Sequence, residues 1–146
     1  MEKFLYIRTA AVAVDNDDND DTGGVLYPIS HFKGMHAGTC NAAGTVTGSN
    51  TAFTLHFRPL KIAAGYQGGD SNTTETEDRT DKFTFNVSAA DKQIDAMKDL
   101  VSAINADNAK ANGFITLYDG GNAEYDAVKA SPWITTVATV VINETN

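Results

Sequence analysis

The side chains best able to do chemistry lie in the first half of the chain: His31, His36, Cys40 and His56, which are all three histidines and the one cysteine. A cysteine beside a histidine can be an activated nucleophile, and three such side chains can hold zinc. The spacing argues against both. His31 and His36 are five residues apart in a Gly/Ala-rich stretch rather than on a helix face, and nothing around Cys40 resembles a cysteine-protease signature. Cys40 therefore reads as a small buried residue. His56 reads as an ordinary surface histidine on the polar face of a strand. Ser131 sits in Ala-Ser-Pro, which is no nucleophile elbow. The glycines of 65–69 (Gly-Tyr-Gln-Gly-Gly) lack the Lys-Ser/Thr that would cradle a phosphate. The expectation is no catalytic residue, no cofactor or cofactor-binding residue, no metal ligand and no enzyme.

The acids are the other conspicuous feature. Residues 15–21 read Asp-Asn-Asp-Asp-Asn-Asp-Asp, and Asp15-x-Asp17-x-Asn19 begins like a calcium loop. The match fails at the sixth position, where Asp20 replaces the turn glycine, and at the twelfth, where Leu26 replaces glutamate. The run reads as a solvated acidic hairpin loop, with divalent-ion binding left open. Residues 70–81 hold five more acids (Asp70, Glu75, Glu77, Asp78, Asp81) against Arg79. These stretches carry −5 and −4 of the −8 total, which leaves the rest of the chain at +1. The acidity thus belongs to two loops, 15–24 and 63–81, on a nearly neutral body. By contrast, Gly34–Phe57 and Ala130–Asn143 contain no Asp, Glu, Lys or Arg. Long uncharged stretches point to burial in the core or against a neighbour.

At 146 residues, of which 42% are hydrophobic, the chain fits one domain with a real core. No apolar run approaches the roughly 20 residues of a membrane span. The opening Met-Glu-Lys-Phe-Leu-Tyr-Ile-Arg has too short an apolar core for a signal peptide. One cysteine precludes an internal disulfide. A pI near 4.6 argues against gripping nucleic acid through its phosphates.

Six strands follow from composition and alternation: Lys3–Val14, Val25–Ile29, Thr51–Phe57, Lys82–Val87, Phe114–Tyr118 and Trp133–Ile142. In the third, Phe53, Leu55 and Phe57 share one face, with Thr54 and His56 on the other. Residues 30–50 read as irregular loop with possible short strands. Ser88 and Asp91 resemble a capping box opening a helix at 89–106, with Ile94, Met97, Leu100, Val101 and Ile104 as its apolar stripe. Lys92, Asp95, Asp99 and Ser102 form its solvated face. The fold class is therefore α+β: a single domain in the order β-β-β-β-α-β-β. It has a mostly antiparallel sheet or sandwich and one long amphipathic helix packed on it. The uncharged, Thr/Val-rich last strand is either the centre of this sheet or a surface for pairing with another subunit.

Several segments carry a resemblance. Phe4–Ala11 (Phe-Leu-Tyr-Ile-Arg-Thr-Ala-Ala) opens the chain; Val25-Leu26-Tyr27-Pro28 leads into His31-Phe32-Lys33-Gly34-Met35; Thr54-Leu55-His56-Phe57, the helix and Gly113–Leu117 follow. This succession resembles small virion proteins of tailed bacteriophages, especially marine and cyanophage types, although the 30–50 and 63–81 loops are long for the type. The resemblance implies a structural protein of the virion, most concretely a capsid decoration (cement) protein. It would be made in the host cytoplasm and act as a homo-oligomer, dimer or trimer, against the major capsid protein or other virion proteins. No nucleic acid or membrane partner is expected. The alternatives are a minor tail or virion component, and a β-rich ligand- or carbohydrate-binding module. The module would expose Trp133, Tyr66, Tyr118 or Tyr125 around a groove. A small enzyme would need His31, His36 or Cys40 to converge in a pocket.

Overall fold

The computed structural model describes residues 2–8, 24–41, 44–59, 80–106, 113–120 and 126–141. The acidic run, the second half of the first expected strand, most of the 63–81 loop, Tyr66 and Tyr125 lie outside these. Alternating aromatic and aliphatic residues build two four-stranded sheets. The first has the order β2-β1-β8-β9, from Gly24–Pro28 (β2), Phe4–Arg8 (β1), Phe114–Asp119 (β8) and Val128–Lys129 (β9). The second has the order β10-β7-β6-β3, from Ile134–Val141 (β10), Asp81–Val87 (β7), Ala52–Phe57 (β6) and Phe32–Ala37 (β3). A two-stranded ribbon pairs Thr39–Cys40 (β4) with Val46–Thr47 (β5). Every pairing is antiparallel except β1 with β8. The α+β class holds, and of the two arrangements left open, one sheet or a sandwich, the strands form two four-stranded sheets with the ribbon beside them.

The sheets face each other across an aromatic core. Tyr27 of the first stacks on Phe57 of the second at 4.2 Å between centroids, and Phe83 meets both rings edge-on. Farther along, Phe53 stacks on Phe85, whose edge meets Tyr118 of β8. Leu5, Ile7, Leu55, Ile115, Leu117 and Ile134 fill the space between. Burying each such side chain contributes about 1.5–3 kcal/mol. The period-2 pattern of the Phe-rich strands therefore sets which face turns inward. All six expected strands are present within the described residues. β9 lies outside the expected strands, whereas β3, β4 and β5 realise the possible short strands of 30–50; β4, β5 and β9 are only two residues long and β3 mixes Gly, His and Ala, so none carries a clear alternation.

The helix differs in two ways from expectation. It runs Gln93–Asn105 (α1) rather than from residue 89, and no side chain caps its N-terminus. Asp91 adopts φ +66° and gives its N–H to the Asn50 carbonyl, while the Ser88 N–H goes to Trp133. Residues 88–92 are thus committed to a turn, so Ser88 and Asp91 form no capping box. The buried stripe is Gln93, Ala96, Leu100 and Ile104, whereas Ile94 and Val101 are 51% and 44% exposed. Ala96 turns inward because its small side chain lets the helix approach the sheets closely. Asp99 is also not freely solvated, since it accepts a 2.7 Å bond from the buried Ser131 hydroxyl. At the other end the Lys3 ammonium donates to the carbonyls of Ile104 and Ala106, where a cation is favoured by the negative end of the helix dipole. α1 touches β8 of one sheet and β3, β6 and β7 of the other, closing the core between them.

β10 occupies an edge of the second sheet rather than its centre. It pairs with β7 alone among the described strands, through a register that shifts between Ile134 and Thr136 and again between Val137 and Thr139.

Candidate functional site

On the face of the second sheet turned away from the core, β3 and β6 bring two histidines together. His36 pairs across with Thr54, which puts it diagonally next to His56 on the same face. Gly34, opposite His56, has φ +130° and absorbs a register shift that bends β3. That backbone conformation suits glycine. The rings lie 5.0 Å apart, and their Nε2 atoms are 2.9 Å apart.

The third member arrives through a second glycine. After β3 the chain leaves the sheet at Gly38, with φ +99°; a Cβ there would collide with the Thr47 carbonyl. Thr54 holds this corner down by donating to the Gly38 carbonyl, and its hydroxyl also bonds to that of Thr84. The ribbon that follows places Cys40, 3% exposed, beside the histidines. One donor atom from each of His36, Cys40 and His56 lies within 4.8 Å of the other two.

The hydrogen bonds fix much of the protonation. The Nδ1 of His36 is 2.9 Å from the Ala37 carbonyl, which can only accept, so this nitrogen carries the proton. In the neutral ring, Nε2 then presents a lone pair. The close Nε2···Nε2 approach requires the proton between them to sit on His56, whose Nδ1 bonds to the Thr80 hydroxyl at 2.8 Å. The Cys40 thiol donates weakly to the Asn41 carbonyl at 3.6 Å. Lys82 stands directly across from His56 on β7, almost fully buried, and its ammonium donates to the Thr80 carbonyl.

These positions correct the sequence-based view. His56 is a half-buried partner of His36 rather than an ordinary surface histidine, and the trio meets although its sequence spacing matches no ligand pattern. Cys40 is buried as expected. His31 stays apart, in a 3-10 turn at Ile29–His31, with a buried Nδ1 that has no partner among the described residues. The signal that would have found the trio is β3 itself. Once Phe32–Ala37 is known to pair with β6, His36 and His56 must share a face.

Other expected features separate. Tyr118 is a core residue, and Trp133 is half-buried beneath the Lys92 ammonium at 4.5 Å, so neither lines an open aromatic groove. Asp81, counted among the solvated loop acids, is fully buried at the start of β7 and accepts a 2.8 Å bond from the Tyr27 hydroxyl. Burial, the hydrogen bond to Asp81 and the charge of that carboxylate, in that order, raise the Tyr27 phenol far above its ordinary value. Tyr118 shifts in the same direction through burial and then the charge of Asp119. No family model, curated protein or solved structure matches this chain. Among the described residues, no helix is long and apolar enough to cross a membrane.

Proposed function

We propose that this chain is a structural subunit of a virion, a capsid decoration protein that stabilises the shell of a tailed bacteriophage by packing between subunits. The observation that carries the reading is β10. Eight residues without a charge lie at a sheet edge, with Thr135, Thr136, Ala138 and Thr139 exposed. An uncharged edge strand is a template for another chain, and soluble proteins ordinarily blunt such edges with lysine, proline or a covering element. Its two register shifts curl the strand, so it favours a partner of matching shape over open-ended stacking. Ile94 and Val101, exposed one above the other on α1, give a second apolar strip for contact.

The mechanism is mechanical. Each copy adds a modest interface to the major capsid protein or to a second copy of itself, and shell symmetry multiplies that contribution. The succession of segments resembling small phage virion proteins supports the same reading. The test is sedimentation of the purified chain with and without emptied shells of the phage that encodes it. Co-sedimentation that saturates at a fixed ratio to shell protein is expected. A chain that stays in the supernatant at every concentration defeats the proposal.

A further inference from the structure

We propose that His36, Cys40 and His56 form a binding site for a borderline-soft divalent metal ion of the zinc class, which fastens the β4–β5 ribbon onto the second sheet. The inference is independent of any role in a virion.

The donor set selects the ion. Two imidazoles and one thiol suit zinc and its spectroscopic surrogate cobalt(II), whereas calcium and magnesium take oxygen ligands. Around tetrahedral zinc, with bonds of about 2.0–2.1 Å to nitrogen and 2.3 Å to sulfur, donor nitrogens lie roughly 3.3 Å apart and nitrogen and sulfur roughly 3.6 Å. The 2.9 Å Nε2 pair need only open slightly, and the 4.8 Å outer limit of the cluster need only tighten by about 1 Å. Rotation about the side-chain bonds of Cys40 and the histidines covers both changes.

The outer hydrogen bonds are those a ligating histidine requires. A metal-bound imidazole almost always donates its other N–H to a fixed acceptor, which orients the ring. His36 already does so to Ala37, and His56 reaches Thr80, whose hydroxyl can accept as readily as donate. On loading, the His56 proton moves from Nε2 to Nδ1 and the Thr80 hydroxyl turns to accept it. The Cys40 thiol loses its proton to solvent as the sulfur–metal bond forms, so one proton leaves per ion bound. The thiolate offsets one of the ion's two charges. Lys82 is the nearby cation that opposes binding, and its hydrogen bond to the Thr80 carbonyl ties it to the backbone. The sheet supplies two ligands and the ribbon the third, so the bound ion cross-links elements that otherwise meet through the Gly38 corner.

The experiment uses the full chain, freed of metal by chelator under a non-thiol reductant and titrated with cobalt(II) and then zinc. Cobalt is expected to bind one ion per chain, a solvent water completing its coordination beside the three side chains, with the intense visible bands of a four-coordinate ion and a sulfur-to-cobalt charge-transfer band. Cys40 is the one cysteine in the sequence, so that band assigns the ligand without any variant. Zinc should displace the cobalt and raise the thermal midpoint. Cys40→Ser should abolish the charge-transfer band, and His36→Ala or His56→Ala should weaken binding at least tenfold. Thr80→Val, which keeps all three ligands, should weaken it about 10–100-fold. Circular dichroism of each variant separates ligand loss from misfolding. No saturable binding by the wild-type chain at micromolar concentrations, or binding without the charge-transfer band, overturns the proposal. So does a folded His36→Ala or His56→Ala chain that binds as tightly as wild type.

Discussion

The Tyr27–Asp81 pair shows what a single polar contact does inside an apolar core. Tyr27 stacks its ring on Phe57 and turns its hydroxyl to a fully buried carboxylate. Tyr27→Phe keeps the stack and removes one donor from Asp81, so it should cost about 1–2 kcal/mol in denaturant unfolding at neutral pH. The alkaline limb carries the sharper signature. Above pH about 10 an unfolded chain releases this phenolic proton while the folded chain retains it. The folded state then binds more protons, and stability must fall as pH rises. The contribution is complete below pH about 10 and is lost on the way up to the raised folded value. Unfolding measured from neutral to strongly alkaline pH should therefore decline more steeply in wild type than in Tyr27→Phe; parallel declines would refute the assignment. None of this is legible from residues 70–81, where Asp81 is one acid among five. Composition marks a charge run, but not which member of it a distant tyrosine takes into the core.

At the scale of elements, the strands that were readable are those whose inward side chains are large. Phe53, Leu55 and Phe57 alternate with Thr54 and His56, and Phe83 and Phe85 do the same on the neighbouring strand, so their inner faces could be assigned residue by residue. β3 escapes because Gly34, His36 and Ala37 give no such contrast, and with it went the His36–His56 contact. The helix is legible as an element, and Met97, Leu100 and Ile104 do pack inward, but its inward face is read only in part. Ile94, Met97, Leu100, Val101 and Ile104 do lie at helical spacing, but so do Gln93, Ala96, Leu100 and Ile104. Two stripes sharing Leu100 and Ile104 cannot be ranked by hydrophobicity when closeness of approach decides. Leu100→Ala should accordingly cost about 2–5 kcal/mol. Val101→Ala, one position along and half in water, should stay within about 0.5 kcal/mol. Equilibrium urea unfolding of both variants checks the contrast; equal losses would mean that the helix is rotated from the orientation described.

For the whole molecule the question is where the uncharged surface went. The uncharged stretch Gly34–Phe57 supplies most of β3, the ribbon and β6, and the second supplies β10, so both converge on one sheet. The first is accounted for within the chain at β6, which is central and buried, and at the ribbon corner bonded to Thr54, while Thr45–Gly48 of the ribbon stay exposed. The second is not, because β10 is at the edge with four exposed residues and no charge. If that edge exists for assembly, a single positive charge there should separate folding from association. Thr139→Lys places an ammonium on an exposed position of β10, where it should change unfolding stability by no more than about 0.5 kcal/mol. The same lysine is the device by which edge strands are kept from pairing. Sedimentation velocity over a concentration series, alone and with emptied shells, should show wild type associating and Thr139→Lys remaining monomeric and unbound, with unfolding stabilities that agree within about 0.5 kcal/mol at concentrations low enough for wild type to be monomeric. A variant that folds and associates as wild type does would move the interface off β10, and the exposed Ile94–Val101 strip of α1 would be the next surface to charge.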